Sequence, residues 1–393
     1  MRISLIKFNQ KASLIIITLI LNNYLILSLN LPALIIKFNL VLFFSSVIYF
    51  YTINLKNNFI LKFYFLLILL ICLGTPAEGW DLRSLYLFHA KRIFFDDTIY
   101  SVADNYAIFS HNDYPLLLPS FSSSFAKLVG YWHEIFPKTA FTFIYLPPLI
   151  FFSSILNEKK YALFFIILFF FIGNHLFNGG VDGVVAVYFI TCVYCFYQVF
   201  FEEKKIDLPF IILTLFFSIT LSLLKNEGTA LLFIIFTSTI ILSVVENNLE
   251  KKQKLFFLLV SFIPIFIWKI FCYKNGINNT DFNPSLMSEN FFNRLTSFEN
   301  YKLFFNYLIF SNEKTIVAII VFIFSFVYNF NKKLMYFIIL LFVSYLFLLL
   351  VVYFSTPYDL NYHLETSAYR ILKSLSFLLG FFALYNSNLK YLR

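Results

Sequence analysis

Ionisable residues are rare in this chain, and most of those that can do chemistry fall in five short polar segments. The longest begins GTPAEGWDLRSLYLFHAKRIFFDD, residues 74–97. Asp81 follows Gly79 and Trp80 and opens a helix-like run. Two roles fit it: a helix N-cap, or a carboxylate that takes a proton from a hydroxyl. Glu78 stands close enough in sequence to assist or to bind a metal. Lys91 and Arg92, further along, suit anionic headgroups. SHNDYPLLLPS, residues 110–120, places His111, Asp113 and Tyr114 before a proline that favours an extended lead-in; they read as a polar turn or as a wall of the same pocket.

The other segments are shorter. In FNGGVDG, residues 177–183, two glycines supply a tight turn, and Asp182 either caps the next helix or joins the pocket. LLKNEG, residues 223–228, sets Lys225 and Glu227 between two apolar runs with almost no linker. Charges at such a place are costly unless they face protein, water or substrate. STPYDLNYHLETSAYR, residues 355–370, gathers Asp359, His363, Glu365 and Arg370. A guanidinium there binds phosphate bidentately or snorkels to the interface.

The elements that must hold these groups are membrane helices. The chain is 393 residues long, 60% hydrophobic and 13% charged, against about 25% charged in a soluble domain. A helix needs roughly 20 apolar residues to cross a bilayer, and only helices or closed barrels satisfy the backbone in lipid. The runs lack the period-2 alternation of a barrel. The expected fold is therefore all-α, a polytopic transmembrane bundle of about 12–13 spans with juxtamembrane helices on its outer face. Spans are expected at 12–30, 35–54, 60–75, 138–156, 161–177, 184–201, 207–224, 229–245, 255–272, 315–330, 334–354 and 371–387. The stretch 115–132, with Pro119, three serines and Lys127, reads as re-entrant, juxtamembrane or crossing. The N-terminus reads as an uncleaved first span. Residues 1–59 form a pair of leading spans, and 60–393 the domain that carries the polar segments.

Lysines set the orientation. Lys159/Lys160, Lys204/Lys205, Lys251/Lys252/Lys254 and Lys332/Lys333 mark four short linkers. If 115–132 does not cross, all four share the side of the basic N-terminus, which the positive-inside rule makes cytoplasmic. The polar segments, within 76–114, 178–183, 225–228, 273–314 and 355–370, then lie outside. The net charge of +9 belongs to lipid headgroups, not to nucleic acid. Cys192-x-x-Cys195 lies inside a span with no partner pair and reads as small apolar helix residues. There is no P-loop, dinucleotide fingerprint, H-E-x-x-H or nucleophile elbow.

The order GWD, DYPLLLP, KNEG and TPYDLNYHLETSAYR resembles the type C (GT-C) glycosyltransferase superfamily, polytopic enzymes that include protein O-mannosyltransferases and the lipid A aminoarabinose transferase. The resemblance covers roughly 60–387 by layout. Two departures stand out: two spans precede the one expected to lead into the catalytic loop, and Asp113-Tyr114-Pro115 replaces a double proline. It implies an inverting hexosyl- or pentosyltransferase with a polyprenyl-phosphate-linked sugar donor and a glycan, lipid or other hydroxyl acceptor. Asp81 would be the general base. Arg370, His363, Lys225 and Lys91 would hold the donor and its lipid phosphate. Glu78, His111, Asp113, Tyr114, Asp182 and Glu227 would form the substrate pocket. Relatives differ in metal use; no D-x-D surrounds Asp81, so a divalent ion is an open expectation. The implied location is a bacterial inner membrane, with the site facing the periplasm or exterior. A lipid-linked sugar transporter or flippase, and an O-antigen polymerase or ligase, are the competing readings.

Overall fold

A computed structural model describes residues 2–53, 58–202, 207–243, 249–279, 284–310 and 312–389. These residues are helical nearly throughout and contain no strand. The helices are α1 (Arg2–Ser28), α2 (Ala33–Thr52), α3 (Phe59–Gly74), α4 (Leu87–Asp96), α5 (Leu117–Val129), α6 (Ile135–Phe143), α7 (Leu146–Ile155), α8 (Glu158–Phe171) and α9 (Val181–Phe201). There follow α10 (Leu208–Leu224), α11 (Asn226–Ser243), α12 (Leu249–Leu259), α13 (Ile263–Lys274), α14 (Pro284–Leu295), α15 (Phe298–Phe305), α16 (Glu313–Tyr328), α17 (Lys332–Ser355) and α18 (Leu360–Leu389).

Eight stretches among the described residues are long and apolar enough to cross a membrane; they include α6–α7 and α12–α13 as continuous units. The chain is a multi-pass membrane protein built as a helical bundle. Every expected span falls on a helix, but α3, α8, α10 and α16 are only 14 to 17 residues long. At about 1.5 Å per residue such helices cover roughly 21–26 Å, short of a full apolar core.

The Asn-rich linkers turn out to be helix starts. Asn157, Asp207, Asn312 and Asn331 cap α8, α10, α16 and α17, each accepting from the backbone N–H three residues on. Each cap contributes about 1 kcal/mol. Lys204 and Lys205, two of the linker lysines, lie outside the described residues.

Burial separates centre from rim. The chain from Ile135 to Ile155, α9 and α18 are enclosed along most of their length. By contrast α2, α13, α16 and α17 turn Phe38, Phe266, Phe324 and Phe347 outward, as lipid-facing helices do. In lipid, water does not drive helices together, so close packing and buried polar bonds fix the arrangement. Asn386 donates to the carbonyls of Ser325 (3.0 Å) and Asn329 (2.8 Å), and Asn329 donates back to the carbonyl of Asn386 (2.6 Å). Asn331 reaches the Tyr197 hydroxyl at 3.3 Å, and Lys160 the Ser387 hydroxyl at 3.3 Å. Interhelical bonds of this kind average about 0.6 kcal/mol. They place the C-terminal ends of α9, α16 and α18 with the N-terminal ends of α8 and α17. The basic residues 159–160 and 332–333 therefore gather at one end of the bundle.

One expectation needs correcting. Residues 355–370 are not a loop: α17 runs to Ser355 and α18 starts at Leu360, so Arg370 sits inside one 30-residue helix. Of the readings open for 115–132, a full crossing falls away: the stretch holds the 13-residue α5, buried from Leu117 to Lys127 and too short to cross alone. Its serines make this tolerable: Ser122 donates to the carbonyl of Pro137 (2.9 Å), and Asn23 donates to Ser124 (2.8 Å). Within residues 1–59, α1 packs against α5, α7 and α10.

Candidate functional site

At the end of the bundle opposite those lysines, the polar segments converge on one cavity of about 620 Å³. Asp81 stands at the end of the lead-in from α3, before Leu82–Tyr86, which are wound as a π-helical turn. Such turns are over-represented at functional sites. The Asp81 side chain makes no capping bond. Instead its Oδ2 accepts from Arg370 Nη1 at 2.6 Å, across 289 residues of sequence. Both side chains are about two-fifths exposed to the cavity, 40% for Asp81 and 41% for Arg370.

A second charged group lies on the same wall. Lys225 Nζ contacts Asp182 Oδ1 at 3.0 Å and Glu227 Oε2 at 3.1 Å. The Lys225 and Asp182 side chains are only 9% and 10% exposed, whereas Glu227 opens to the cavity at 41%. Burial disfavours the Lys225 ammonium, but the two carboxylates outweigh it and raise its pKa above the ordinary lysine value. Asp182 thus does not cap α9. The hairpin between α10 and α11 that presents Lys225 and Glu227 needs Gly228: a Cβ there would stand 2.1 Å from the Leu221 carbonyl oxygen. Gly180 does the same for α9, since a Cβ would come within 2.3 Å of His175 Nδ1.

His111, Tyr114, His363 and Ser367 add to the polar lining. His111 adopts φ +49°, an uncommon conformation for a residue with a side chain, and its ring stacks on Tyr114 at 4.9 Å. His363 packs against Tyr353 and Tyr358. Aromatic walls come from Trp80, Phe109, Tyr358 and Tyr362. A narrower chamber of about 230 Å³ shares Tyr114, Asp182, Glu227 and Arg370 and continues between apolar residues such as Ala230, Leu231 and Leu348.

Three expected site residues stand elsewhere. Glu78 is exposed, outside the cavity, and precedes the first helical turn rather than lying on it. Lys91 is on the exposed face of α4, also outside the cavity. Asp113 is buried behind the wall. Its Oδ2 accepts from Asn226 at 2.8 Å, and its backbone carbonyl accepts from Trp268 and Lys269 at 3.0 Å each. It ties the His111–Tyr114 turn to the hairpin bearing Glu227 and to α13. His89 is also structural: burial pushes its pKa down to about 4, and its neutral ring bonds the Ser110 carbonyl at 2.8 Å.

Phe109, Tyr358, Tyr362 and Ser367 were not singled out in the sequence. Had α18 been extended upstream of Arg370, the helical spacing of His363, Ser367 and Arg370 would have signalled Ser367; Tyr358 precedes the helix, which starts at Leu360. Among the described residues no three of His, Cys, Asp and Glu gather around one point. The cavity carboxylates Asp81, Asp182 and Glu227 already face cations. No protein-family model, no curated protein and no solved structure matches this chain.

Proposed function

We propose that the protein is an inverting glycosyltransferase that uses a polyprenyl-phosphate-linked sugar. The observation that supports this most is the Asp81–Arg370 contact in a cavity lined by both charged and aromatic residues. It sets a base and a phosphate-binding fork side by side. The acceptor O–H attacks the sugar C1; the new O–C1 bond forms as the bond from C1 to the phosphate oxygen breaks. Asp81 takes the hydroxyl proton. The departing lipid phosphate carries the charge to Arg370, with Lys225 adding positive potential from the wall. One displacement inverts C1. The guanidinium has five N–H donors, and among the described residues only one is engaged, by Asp81. A phosphate arriving at Arg370 competes with that contact and frees the carboxylate as base. Aromatic faces such as Trp80 and Tyr362 suit a sugar ring.

Arg294, the arginine that a polymerase or ligase reading would use, is otherwise occupied. It donates to the carbonyls of Tyr353, Thr356 and Tyr358 at 2.7–3.0 Å and caps the end of α17. The direct test is transfer of a labelled sugar from a polyprenyl-phosphate donor by the purified chain in proteoliposomes. Product with inverted anomeric configuration is expected. Donor carried across the bilayer without cleavage would replace the enzyme by a transporter.

In this reading the cavity faces the periplasm or exterior of a bacterial inner membrane, and the lysine-rich end faces the cytoplasm. Single cysteines at 159 and 332 in a cysteine-free background should resist a membrane-impermeant maleimide in intact cells, while one at 78 should react. The reverse pattern would invert the bundle and place the cavity inside.

A further inference from the structure

Five lysines are buried among the described residues: Lys62, Lys127, Lys138, Lys225 and Lys373. Four have an oxygen partner. Lys62 donates to the Ile53 carbonyl, Lys127 to Asp97, Lys138 to Thr75 and Lys225 to Asp182. Lys373, only 7% exposed, has none. Its ammonium instead lies 5.5 Å from the Tyr369 ring centroid. Lys314, in the first turn of α16, lies 5.7 Å from the same ring and 5.3 Å from the Phe170 ring. It donates to the Phe170 carbonyl at 2.7 Å. Two ammoniums thus share one aromatic ring, with no carboxylate in ion-pair contact with either. A cation–π contact is worth about 0.5–2 kcal/mol, less than the several kcal/mol for desolvating an ion. Two like charges beside one ring add repulsion. An anion between them removes both costs.

We propose that Lys314, Lys373 and Tyr369 form a second anion site, for the headgroup phosphate of an anionic phospholipid. The place argues for a lipid. Tyr369 and Phe170 are 51% and 45% exposed on the flank of the bundle, at the C-terminal end of α8 and near the cavity end of α16 and α18. We place this level at headgroup depth because α8 ends and α16 begins there; a phosphate bound at this ring would offer an oxygen to each ammonium, with the acyl chains along the apolar flank. Neither lysine lines the cavity that holds Asp81 and Arg370, so this site binds its phosphate independently of the transfer reaction.

The test uses the full chain, stripped of lipid in detergent and titrated with phosphatidylglycerol, phosphatidylcholine or inorganic phosphate, with retained lipid counted by native mass spectrometry. Phosphatidylglycerol is expected to bind in preference to phosphatidylcholine. Lys314→Gln/Lys373→Met should weaken it about 25-fold, about fivefold for each lysine. Lys314→Gln alone, at a half-buried position, gives the single step should the double variant fold poorly. Equal retention of the two lipids, or retention unchanged in the variants, would leave only snorkelling lysines and overturn the site. Saturation by inorganic phosphate alone at the same concentration would overturn the lipid assignment. Because the readout is binding, it succeeds or fails whatever the transfer assay gives.

Discussion

Asp81→Asn is expected to lower sugar transfer by about 10²–10⁴-fold, the usual loss when a general base is removed, in a protein that stays folded. An amide keeps the size of the carboxylate but cannot accept the hydroxyl proton. The fold should tolerate the change for two reasons. Asp81 makes no capping bond to lose. Its contact with Arg370 is two-fifths exposed on both sides, and exposed ion pairs contribute about 0–1 kcal/mol. Arg370→Lys should be milder: the positive charge stays, but the fork that grips two phosphate oxygens is lost. Turnover by each variant, at matched expression with a polyprenyl-phosphate sugar donor, decides the matter. Wild-type turnover by Asp81→Asn would remove Asp81 from the chemistry and reduce the Arg370 contact to a strut between α18 and the first polar segment.

The fold was open to reading because lipid leaves few choices. Long apolar runs without alternation leave only helices, and each expected span has its helix. What the runs concealed was where helices overrun their apolar stretch. Residues 360–370 are polar enough to pass for a loop, yet Leu360, Leu364, Ala368 and Leu372 are buried at helical spacing. That stripe was present in the sequence, weakened by His363 and Glu365 between its members. The same overrun brings Arg370 down one wall to Asp81. The shared side of Asp81, Lys225 and Arg370 could be inferred from the lysine linkers; the pairing of Asp81 with Arg370, and of Asp182 with Lys225, could not. Each joins segments far apart in the chain, and no local pattern encodes a partner at that distance. Asp113 shows the converse: a polar residue two before a proline reads as pocket wall, but its bonds to Asn226 and the nearby Lys269 make it a tie behind that wall.

Lys225→Met is expected to destabilise the protein by about 3–5 kcal/mol, because removing one partner strands the other as a buried charge. The stranded group is Asp182, whose side chain is 10% exposed and whose nearest cation is Lys225 at 3.0 Å. Glu227, at 41% exposure, can turn to water and should suffer little. The argument fixes what the second substitution should do. Adding Asp182→Asn to Lys225→Met discharges the buried site, so most of the lost stability should return, as buried ion pairs replaced whole are often near neutral. Thermal unfolding of the wild type, both single variants and the double variant in one detergent measures this coupling. Single variants that unfold with the wild type, or a double variant that merely adds the two losses, would show the pair is hydrated and structurally idle. Activity should follow a different course. The double variant regains stability but not Lys225's charge, so transfer should stay depressed while the melting point recovers. Recovery of both together would assign the pair to holding α9 against the α10–α11 hairpin, with no part in stabilising the leaving phosphate.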